Sequence, residues 1–262
     1  MSSKEKLQLL ASRLLEAEKN RAGIAPLTEE CPDLTVKEAY QIQMRILKAK
    51  LGGPNRSVGK KIGLTSVAMQ QMLGVFEPDF GYLLNTMEAA EGGIISCSEL
   101  MQPKVEPEIA FLLNNDLAGP GVSLADVLRA TEAVMPALEI PDTRIRDWKI
   151  KIQDTVADSA SGGRYVLGRR LTRLQDFDLR LIGMIFKRNG EILSTGAGAA
   201  VLGHPAAAVA WLANKLAEFD TYLRAGEVII PGAISGAVNA AAGDYFEAEF
   251  DRLGSVSIRF GV

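Results

Sequence analysis

Short apolar or alternating segments, separated by glycine, proline and asparagine, make up most of the chain after Val58. Segments of this kind are typical of β-strands. The predicted strands are residues 105–113, 179–186, 228–230, 245–250 and 256–260. The turn signals at 188–190 (RNG) and 251–254 (DRLG) each join two such segments and predict hairpins. The chain is therefore constrained to fold around a sheet that is largely antiparallel.

The first 57 residues have a helical pattern instead. Leu7, Leu10 and Leu14 recur at helical spacing, and Thr35 with Glu38 forms a capping box ahead of a second helix. The fold class predicted is α+β, with a small N-terminal helical part at 1–57 packed on a larger body at 58–262 that a curled sheet dominates. Two later helices are predicted, one from a Ser123 cap to about Val134 and one with Val209, Leu212, Leu216 and Phe219 on one face.

Composition excludes several classes of protein. The 29 basic and 32 acidic residues give a net charge of −3 and form no long runs, so neither nucleic acid nor an anionic membrane is an expected partner. Cys31 and Cys97 are too few and too far apart for a disulfide framework. Without an apolar signal core or a stretch long enough to cross a bilayer, the sequence predicts a cytoplasmic protein.

Two glutamates, Glu106 and Glu108, lie two residues apart where a predicted strand begins, so both side chains leave the same face. Their backbone positions are roughly 6 to 7 Å apart, a separation from which two carboxylates can bind one cation. Pro107 cannot donate a ladder hydrogen bond, which predicts a strand edge, a strand start or a bulge. Glu139 lies in an apolar stretch between prolines, where an unpaired charge is costly, and is the predicted third metal ligand.

An all-oxygen set of ligands favours a hard ion such as Mg²⁺ or Mn²⁺ over zinc. The only histidine, His204, lies between a glycine and a proline and predicts a structural turn into a helix. The spacing alone leaves a second interpretation open. In that interpretation the two strand glutamates form a solvated face, and Glu139 pairs with an arginine such as Arg144 or Arg146.

Seven short motifs, in this order, extend over nearly the whole chain. They are 58–65 (VGKKIGLT), 77–81 (EPDFG), 103–110 (PKVEPEIA), 136–139 (PALE), 142–147 (DTRIRD), 154–161 (DTVADSAS) and 203–205 (GHP). Together they resemble the 2-hydroxypenta-2,4-dienoate hydratases of meta-cleavage aromatic degradation, within the fumarylacetoacetate hydrolase superfamily. The 4-oxalocrotonate decarboxylases share the same core motifs.

The resemblance implies a fumarylacetoacetate hydrolase-like curled mixed sheet and a metal-dependent lyase. Its expected reaction is the hydration of 2-hydroxypenta-2,4-dienoate to 4-hydroxy-2-oxopentanoate, with Mg²⁺ or Mn²⁺ as the cofactor. Three alternatives remain: a 4-oxalocrotonate decarboxylase, a hydratase of a longer dienedioate, and a non-catalytic partner subunit. The resemblance also implies a homo-oligomer and association with a sister decarboxylase or hydratase.

Two residues are candidates for proton exchange with the substrate. Lys61 matches the lysine of the first motif, and its alternative interpretation is a surface lysine beside Lys60. Asp79 precedes a Phe-Gly pair on a predicted loop, and its alternative interpretation is an aspartate that caps a turn. Both are named as catalytic candidates because the resemblance carries over to these positions.

Four residues are candidates for substrate binding, namely Thr65, Asp158, Ser161 and Arg164. Thr65 is equally well explained as the N-cap of a helix at 67–73. Arg164 stands where the decarboxylases tend to have an arginine, and a second cation at the distal end of a pocket would suit a dicarboxylate. Ser159 replaces the asparagine that is usual in both branches of the family, which changes the expected hydrogen bonds.

Overall fold

The computed structural model describes residues 3–66, 70–71, 75–175 and 177–262. The longer helices are α1 (Ser3–Asn20), α2 (Leu27–Glu30), α3 (Val36–Lys50), α4 (Leu124–Arg129), α5 (Ile152–Ala157) and α6 (Pro205–Ala217). The strands are β1 (Ser57–Gly63), β2 (Asp79–Leu84), β3 (Glu88–Ala89), β4 (Ile94–Ser96), β5 (Lys104–Leu113), β6 (Thr131–Pro141), β7 (Gly162–Leu167), β8 (Gly183–Arg188), β9 (Glu191–Ala197), β10 (Val228–Ile230), β11 (Val238–Asn239), β12 (Tyr245–Phe250) and β13 (Gly254–Gly261). The predicted α+β class is confirmed.

Within these ranges the strands form two mixed sheets. The larger one has the order β2-β1-β10-β5-β6-β7-β3, and β11 pairs with the start of β5. The smaller one has the order β4-β13-β12-β8-β9. Most neighbours are antiparallel, but β1 with β10, β3 with β7 and β4 with β13 are parallel. The larger sheet curls, so that β2 contacts β7 across it and an inner face is enclosed.

The two faces of the larger sheet have different partners. Its outer face packs against the helices and the smaller sheet in the main hydrophobic core. At one end of the inner face a second cluster of buried apolar side chains fills the space between the strands. Its members are Leu83, Ala110, Met135, Ala137, Tyr165 and Ile230. The other end of the inner face is therefore the part of the sheet interior that can hold polar groups.

Local signals explain the helix starts. The Thr35 side chain accepts from the Glu38 backbone N–H and Glu38 caps in return, which confirms the predicted capping box. His204 is the N-cap of α6, where its Nδ1 accepts from the Ala206 N–H, and Pro205 occupies the first turn. The prediction that the histidine is structural agrees with this position.

Two element boundaries differ from the prediction. The helix capped by Ser123 ends at Arg129 rather than near Val134, because residues from Thr131 onward join β6 instead. The predicted strand at 179–186 begins with a 3₁₀ turn and becomes extended only at Gly183. Most of the helix suggested at 67–73 lies outside the described residues. Within the described part of the chain, no helix combines the length and apolarity needed to cross a bilayer.

Candidate metal and active site

Three glutamates meet at the polar end of the inner face. Glu106 and Glu108 leave the same face of β5, and Glu139 on β6 is the direct register partner of Glu106. One carboxylate oxygen from each lies within 4.8 Å of the others. The same-face spacing and the third ligand predicted from the sequence are thus brought together by the β5–β6 pairing.

The negative charge of these three carboxylates is poorly balanced by positive groups and hydrogen-bond donors of the protein. Glu108 is 0% exposed and Glu139 is 1% exposed. Burial and the neighbouring carboxylates raise the pKa of Glu106 to about 7 and that of Glu108 well above its usual range. Oε1 of Glu108 has no hydrogen-bond partner among the described residues. Buried, mutually repelling oxygens with free acceptor positions fit a hard divalent cation, which would hold all three ionised.

Pro107 does not lie at the kind of strand position that the sequence predicted. β5 is an interior strand, with β6 on one side and β10 and β11 on the other, so the expectation of an edge, a start or a bulge is wrong. On the second side, β10 pairs with 111–112 and β11 with 104–105, which leaves a gap between them. The Pro107 carbonyl faces this gap and accepts from Ile234 N–H at 3.0 Å. Because the N and C=O of a strand residue point to the same side, the missing donor also falls in the gap.

The loop that fills this gap also donates a backbone hydrogen bond to one of the three glutamates. Gly232 has a φ of +125° and donates its N–H to Oε2 of Glu108 at 2.5 Å. A Cβ at this position would lie 1.9 Å from Oγ1 of Thr65. Only glycine therefore combines the backbone conformation with the close approach to Thr65.

Lys61 lies on β1, facing the glutamates. Its Nζ is 2.9 Å from Oε1 of Glu139, so the alternative that Glu139 pairs with an arginine is wrong, and so is the surface position for Lys61. Burial by itself lowers the pKa of Lys61, but the charges of Glu139, Asp79 and Glu106 outweigh it and raise the pKa above its usual range. These carboxylates therefore hold Lys61 as a cation, and a metal ion bound to them would remove part of the negative charge that does so.

Asp79, at the start of β2, is buried beside Lys61. Its Oδ2 accepts from Oγ1 of Thr155 at 3.1 Å, and burial raises its pKa although the Lys61 charge opposes the rise. A Cβ on Gly63 would lie 2.3 Å from Oδ1 of Asp79 and 3.5 Å from Nζ of Lys61. The glycine thus leaves the space in which the two candidate catalytic groups converge.

A cavity of about 370 Å³ opens onto these groups. Lys61, Thr65, Asp79, Glu106 and Ser161 line it, together with a largely apolar wall from 233–237 and from aromatic and aliphatic side chains. The additional lining side chains include Lys104, Pro141, Trp148, Ile150, Thr155, Ala160, Ala200 and Ile234. A larger apolar groove of about 550 Å³ along α3 contains none of the predicted site residues.

Ser161 reaches the cavity from a strained turn. Ser159, Ala160 and Ser161 have φ values of 56°, 51° and 54°, a left-handed conformation that non-glycine residues rarely adopt consecutively. Oγ of Ser161 is buried and has no hydrogen-bond partner among the described residues. Such strain combined with a free polar group is typical of a functional site.

Two predicted substrate-binding residues lie elsewhere. Asp158 is buried in an ion pair with Arg144 and accepts from Oγ1 of Thr143 at 2.8 Å, so it fastens the turn instead of lining the cavity. Arg164 donates to Oε2 of Glu99 at 2.8 Å and is absent from the cavity lining. The structure gives no support to a direct substrate contact by either residue.

Several lining residues were missed in the sequence. Lys104 precedes Glu106 by two residues, just as Glu106 precedes Glu108, so all three side chains leave the same face of the strand. This spacing could have identified Lys104 as a site residue. Its Nζ lies 4.1 Å from the centroid of the Trp148 ring. Thr155 follows Asp154 in the sixth motif, but no local pattern distinguishes it as the partner of a residue 76 positions away.

Comparisons with known proteins agree with this geometry. A family model described as fumarylacetoacetate (FAA) hydrolase C-terminal matches residues 69–260. The chain is 47% identical to a 2-hydroxyhexa-2,4-dienoate hydratase of Comamonas testosteroni over 99% of both proteins. It is 52% identical to a 2-hydroxypent-2,4-dienoate hydratase of Pseudomonas putida, covering 80% of this chain and 95% of the relative.

A similar solved structure is a 4-oxalocrotonate decarboxylase from Pseudomonas putida G7, complexed with magnesium and adipate. It is 40% identical, covers 99% of both chains and superposes with a TM-score of 0.96. The curled-sheet architecture predicted from the motifs is therefore confirmed.

Proposed function

The chain belongs to the fumarylacetoacetate hydrolase family, and from that premise we propose that it is a divalent-metal-dependent hydratase of 2-hydroxypenta-2,4-dienoate or a close homologue. The observation that carries the proposal is the buried cluster of Glu106, Glu108 and Glu139, which faces Lys61 and Asp79 across one cavity. The product would be a 4-hydroxy-2-oxo acid, formed in meta-cleavage degradation of aromatic compounds.

The three glutamates are the proposed ligands of Mg²⁺ or Mn²⁺. A cation held by them would supply positive charge that orients the carboxylate end of the acid and stabilises negative charge on its C2 oxygen. Glu108 is fixed for this role by the Gly232 N–H, and Glu139 by the Lys61 ammonium. The apolar wall of the cavity then surrounds the carbon chain and excludes bulk water.

Lys61 and Asp79 are the proposed groups for proton exchange. The dienol loses its hydroxyl proton and gains one at C5, and water then adds at C4 while a proton is delivered at C3. Each transfer needs a group held within hydrogen-bond reach of the carbon chain. Both side chains are buried, converge on the space beside Gly63 and line the cavity, which supports these roles.

The cations around the cavity bear on the choice between the hydratase and the decarboxylase. A dicarboxylate needs a second cation, and Arg164, the candidate for that role, lies outside the cavity, opposite Ile140 on the outer face of the sheet and paired with Glu99. Among the described lining residues there is no arginine, and the two lysines are Lys61, which Glu139 opposes, and Lys104, which lies over the Trp148 ring. The missing arginine supports the hydratase, whereas a dicarboxylate would have to use Lys104 as its second cation. Thr65 and Ser161 are the proposed polar contacts for the substrate.

Product analysis by NMR tests this function. The Mg²⁺-loaded protein is mixed separately with 2-hydroxypenta-2,4-dienoate and with 4-oxalocrotonate, with EDTA-treated protein and Glu106→Gln as controls. We expect metal-dependent 4-hydroxy-2-oxopentanoate from the first substrate. Carbon dioxide from the second without hydration of the first would assign the decarboxylase instead. Inactivity with both would reject 2-hydroxypenta-2,4-dienoate as the substrate, and inactivity with 2-hydroxyhexa-2,4-dienoate as well would reject the proposed function.

The proposal also covers the cellular location, the assembly and the domain division of the enzyme. We propose a cytoplasmic homo-oligomer that associates with a sister decarboxylase, as the family resemblance implies. The division into a helical part at 1–57 and a catalytic part at 58–262 is likewise proposed. Size-exclusion chromatography with light scattering measures the oligomeric state, and a monomer at micromolar concentration would contradict that part.

A further inference from the structure

Gln43 connects the N-terminal helices to the body of the protein. It lies on α3 and is 1% exposed. Its Nε2 donates two hydrogen bonds, to the carbonyl of Phe80 at 2.9 Å and to the carbonyl of Val156 at 2.8 Å. Its Oε1 is buried and has no partner among the described residues. A buried amide normally uses its acceptor as well as its donors. Because the acceptor is unused here, the two donated hydrogen bonds are what fixes the position of this side chain.

The two carbonyls belong to residues next to cavity side chains. Phe80 follows Asp79 on β2, and Val156 follows Thr155 on α5. Asp79 and Thr155 are themselves joined by the 3.1 Å hydrogen bond and both line the cavity. One amide group outside the cavity is therefore hydrogen-bonded to both of the backbone segments that carry Asp79 and Thr155.

Both backbones lie at the margin of their own elements at these points. β2 is an edge strand of the larger sheet, so half of its backbone groups have no ladder partner. Val156 lies in the last turn of α5, where its carbonyl accepts from the nearby Asp158 N–H of the C-cap as well as from Gln43. The Tyr40 ring, one turn before Gln43 on α3, stacks on the Phe80 ring with centroids 4.6 Å apart. Both contacts fix the position of β2 relative to α3.

We infer that Gln43 is a positioning residue of the proposed active site, which sets the separation between Asp79 and Thr155 by holding the backbones of their neighbours. The inference rests on the proposed function in one respect, since it assigns the effect on turnover to Asp79. The N-terminal helices are consequently part of the catalytic apparatus.

Gln43→Met tests the inference, because it keeps the shape of the side chain and removes both donors. We expect kcat to fall roughly 10- to 100-fold, the effect of a small misplacement of a reacting group. The KM and the Mg²⁺ concentration for half-maximal activity should change less than about twofold, since neither depends on the aspartate. Gln43→Glu, which offers at most one donor, should shift kcat in the same direction and serves if the first variant fails to fold.

Thr28→Val is the matched control. It removes the 2.7 Å hydrogen bond from Oγ1 of Thr28 to Asp154, a buried contact between the same helical part and α5. It should lose stability but keep kcat per folded molecule. If Gln43→Met and Gln43→Glu keep the kcat of this control, Gln43 is only structural and the inference is wrong.

A crystal structure of Gln43→Met separates this inference from the proposed function. We expect the distance from Oδ2 of Asp79 to Oγ1 of Thr155 to exceed ~3.5 Å, beyond hydrogen-bond range. If the wild-type protein does not hydrate the dienoate, the proposed function fails, and this distance still decides the inference. An unchanged distance would overturn it whatever the activity of the wild type.

Discussion

Lys60 and Lys61 are adjacent on β1, are 2% and 4% exposed, and each pairs with a glutamate, yet their surroundings differ. On the outer face, Nζ of Lys60 lies 2.8 and 2.7 Å from the two carboxylate oxygens of Glu227. On the inner face, Lys61 lies 2.9 Å from Glu139 and is also close to Asp79. One lysine therefore meets one carboxylate, and the other meets several.

The pKa directions express this difference. Burial lowers the pKa of Lys60, and Glu227 only partly offsets the effect. The pKa of Lys61 is raised because several negative charges surround it. A balanced pair of this kind holds the fold together, whereas an excess of buried negative charge indicates a place for a cation. The comparison distinguishes a structural lysine from a functional one where the sequence shows only Lys-Lys.

Removing Lys61 should have the largest effect on turnover. We expect Lys61→Met to lower kcat by about 10²- to 10⁴-fold, the usual contribution of a positioned proton-transfer group. Steady-state kinetics with the dienoate at saturating Mg²⁺ measures it, with Lys60→Met as the neighbouring control. Equal losses of kcat per folded molecule in the two variants would remove the functional distinction between the lysines.

Removing Lys60 should act on stability instead. Lys60→Met leaves the partly buried Glu227 with the Arg224 N–H but without its lysine, which should lower the free energy of unfolding by about 1–3 kcal/mol. Urea unfolding measures the change, and the double variant Lys60→Met/Glu227→Leu should recover much of it because no unpaired charge remains. A single variant as stable as the wild type would show that the outer pair contributes little to the fold.

Removing one of the three clustered glutamates should weaken metal binding. We expect Glu106→Gln to raise the Mg²⁺ dissociation constant by at least the ~100-fold that loss of an outer hydrogen-bonding partner can cost. Isothermal titration of metal-free protein measures it without any substrate. Glu132→Gln, on the neighbouring strand β6 but exposed, is the control. Unchanged affinity in Glu106→Gln would exclude this glutamate as a ligand.

The smallest effect concerns the pH dependence of stability. Because the folded pKa of Lys60 lies below its usual value of 10.5, the unfolded chain binds more protons between the two values. The contribution of Lys60 to the free energy of unfolding therefore rises with pH through that window and is lost as pH falls through the folded pKa. Urea unfolding of wild type and Lys60→Met over this range should show a difference that grows with pH. A constant difference would assign Lys60 its ordinary pKa.

Local patterns in the sequence predicted part of this architecture. The two-residue spacing of Glu106 and Glu108 determines that they share a face, whatever the strand pairs with. The hairpin signals and the capping box are likewise complete within a few residues. Glu139 was identified because an ionised group in an apolar stretch needs a partner. Each of these predictions depends on short-range geometry or on a single energetic cost.

The remaining features depend on distant residues. The pattern that follows Ser123 suits a helix, and only pairing with β5 and β7 makes β6 begin at Thr131. Arg164 lies opposite Ile140 on the outer face of the sheet, a position that the pairing of β7 with β6 decides. The contact of Gln43 with Val156 spans 113 positions. Spacing cannot reveal such partners, because side-chain direction and tertiary neighbours decide them together.

The gap in the ladder beside Pro107 has a consequence for how this enzyme can diverge. The cavity wall at that point is the loop segment 233–237, joined to β5 through the Ile234 N–H rather than through a continuous ladder. Substitutions and insertions in a loop reshape its surface without shifting the register of the neighbouring strands. Descendants of one ancestral chain can thus inherit a fixed set of acidic ligands and acquire a new substrate length through this segment alone.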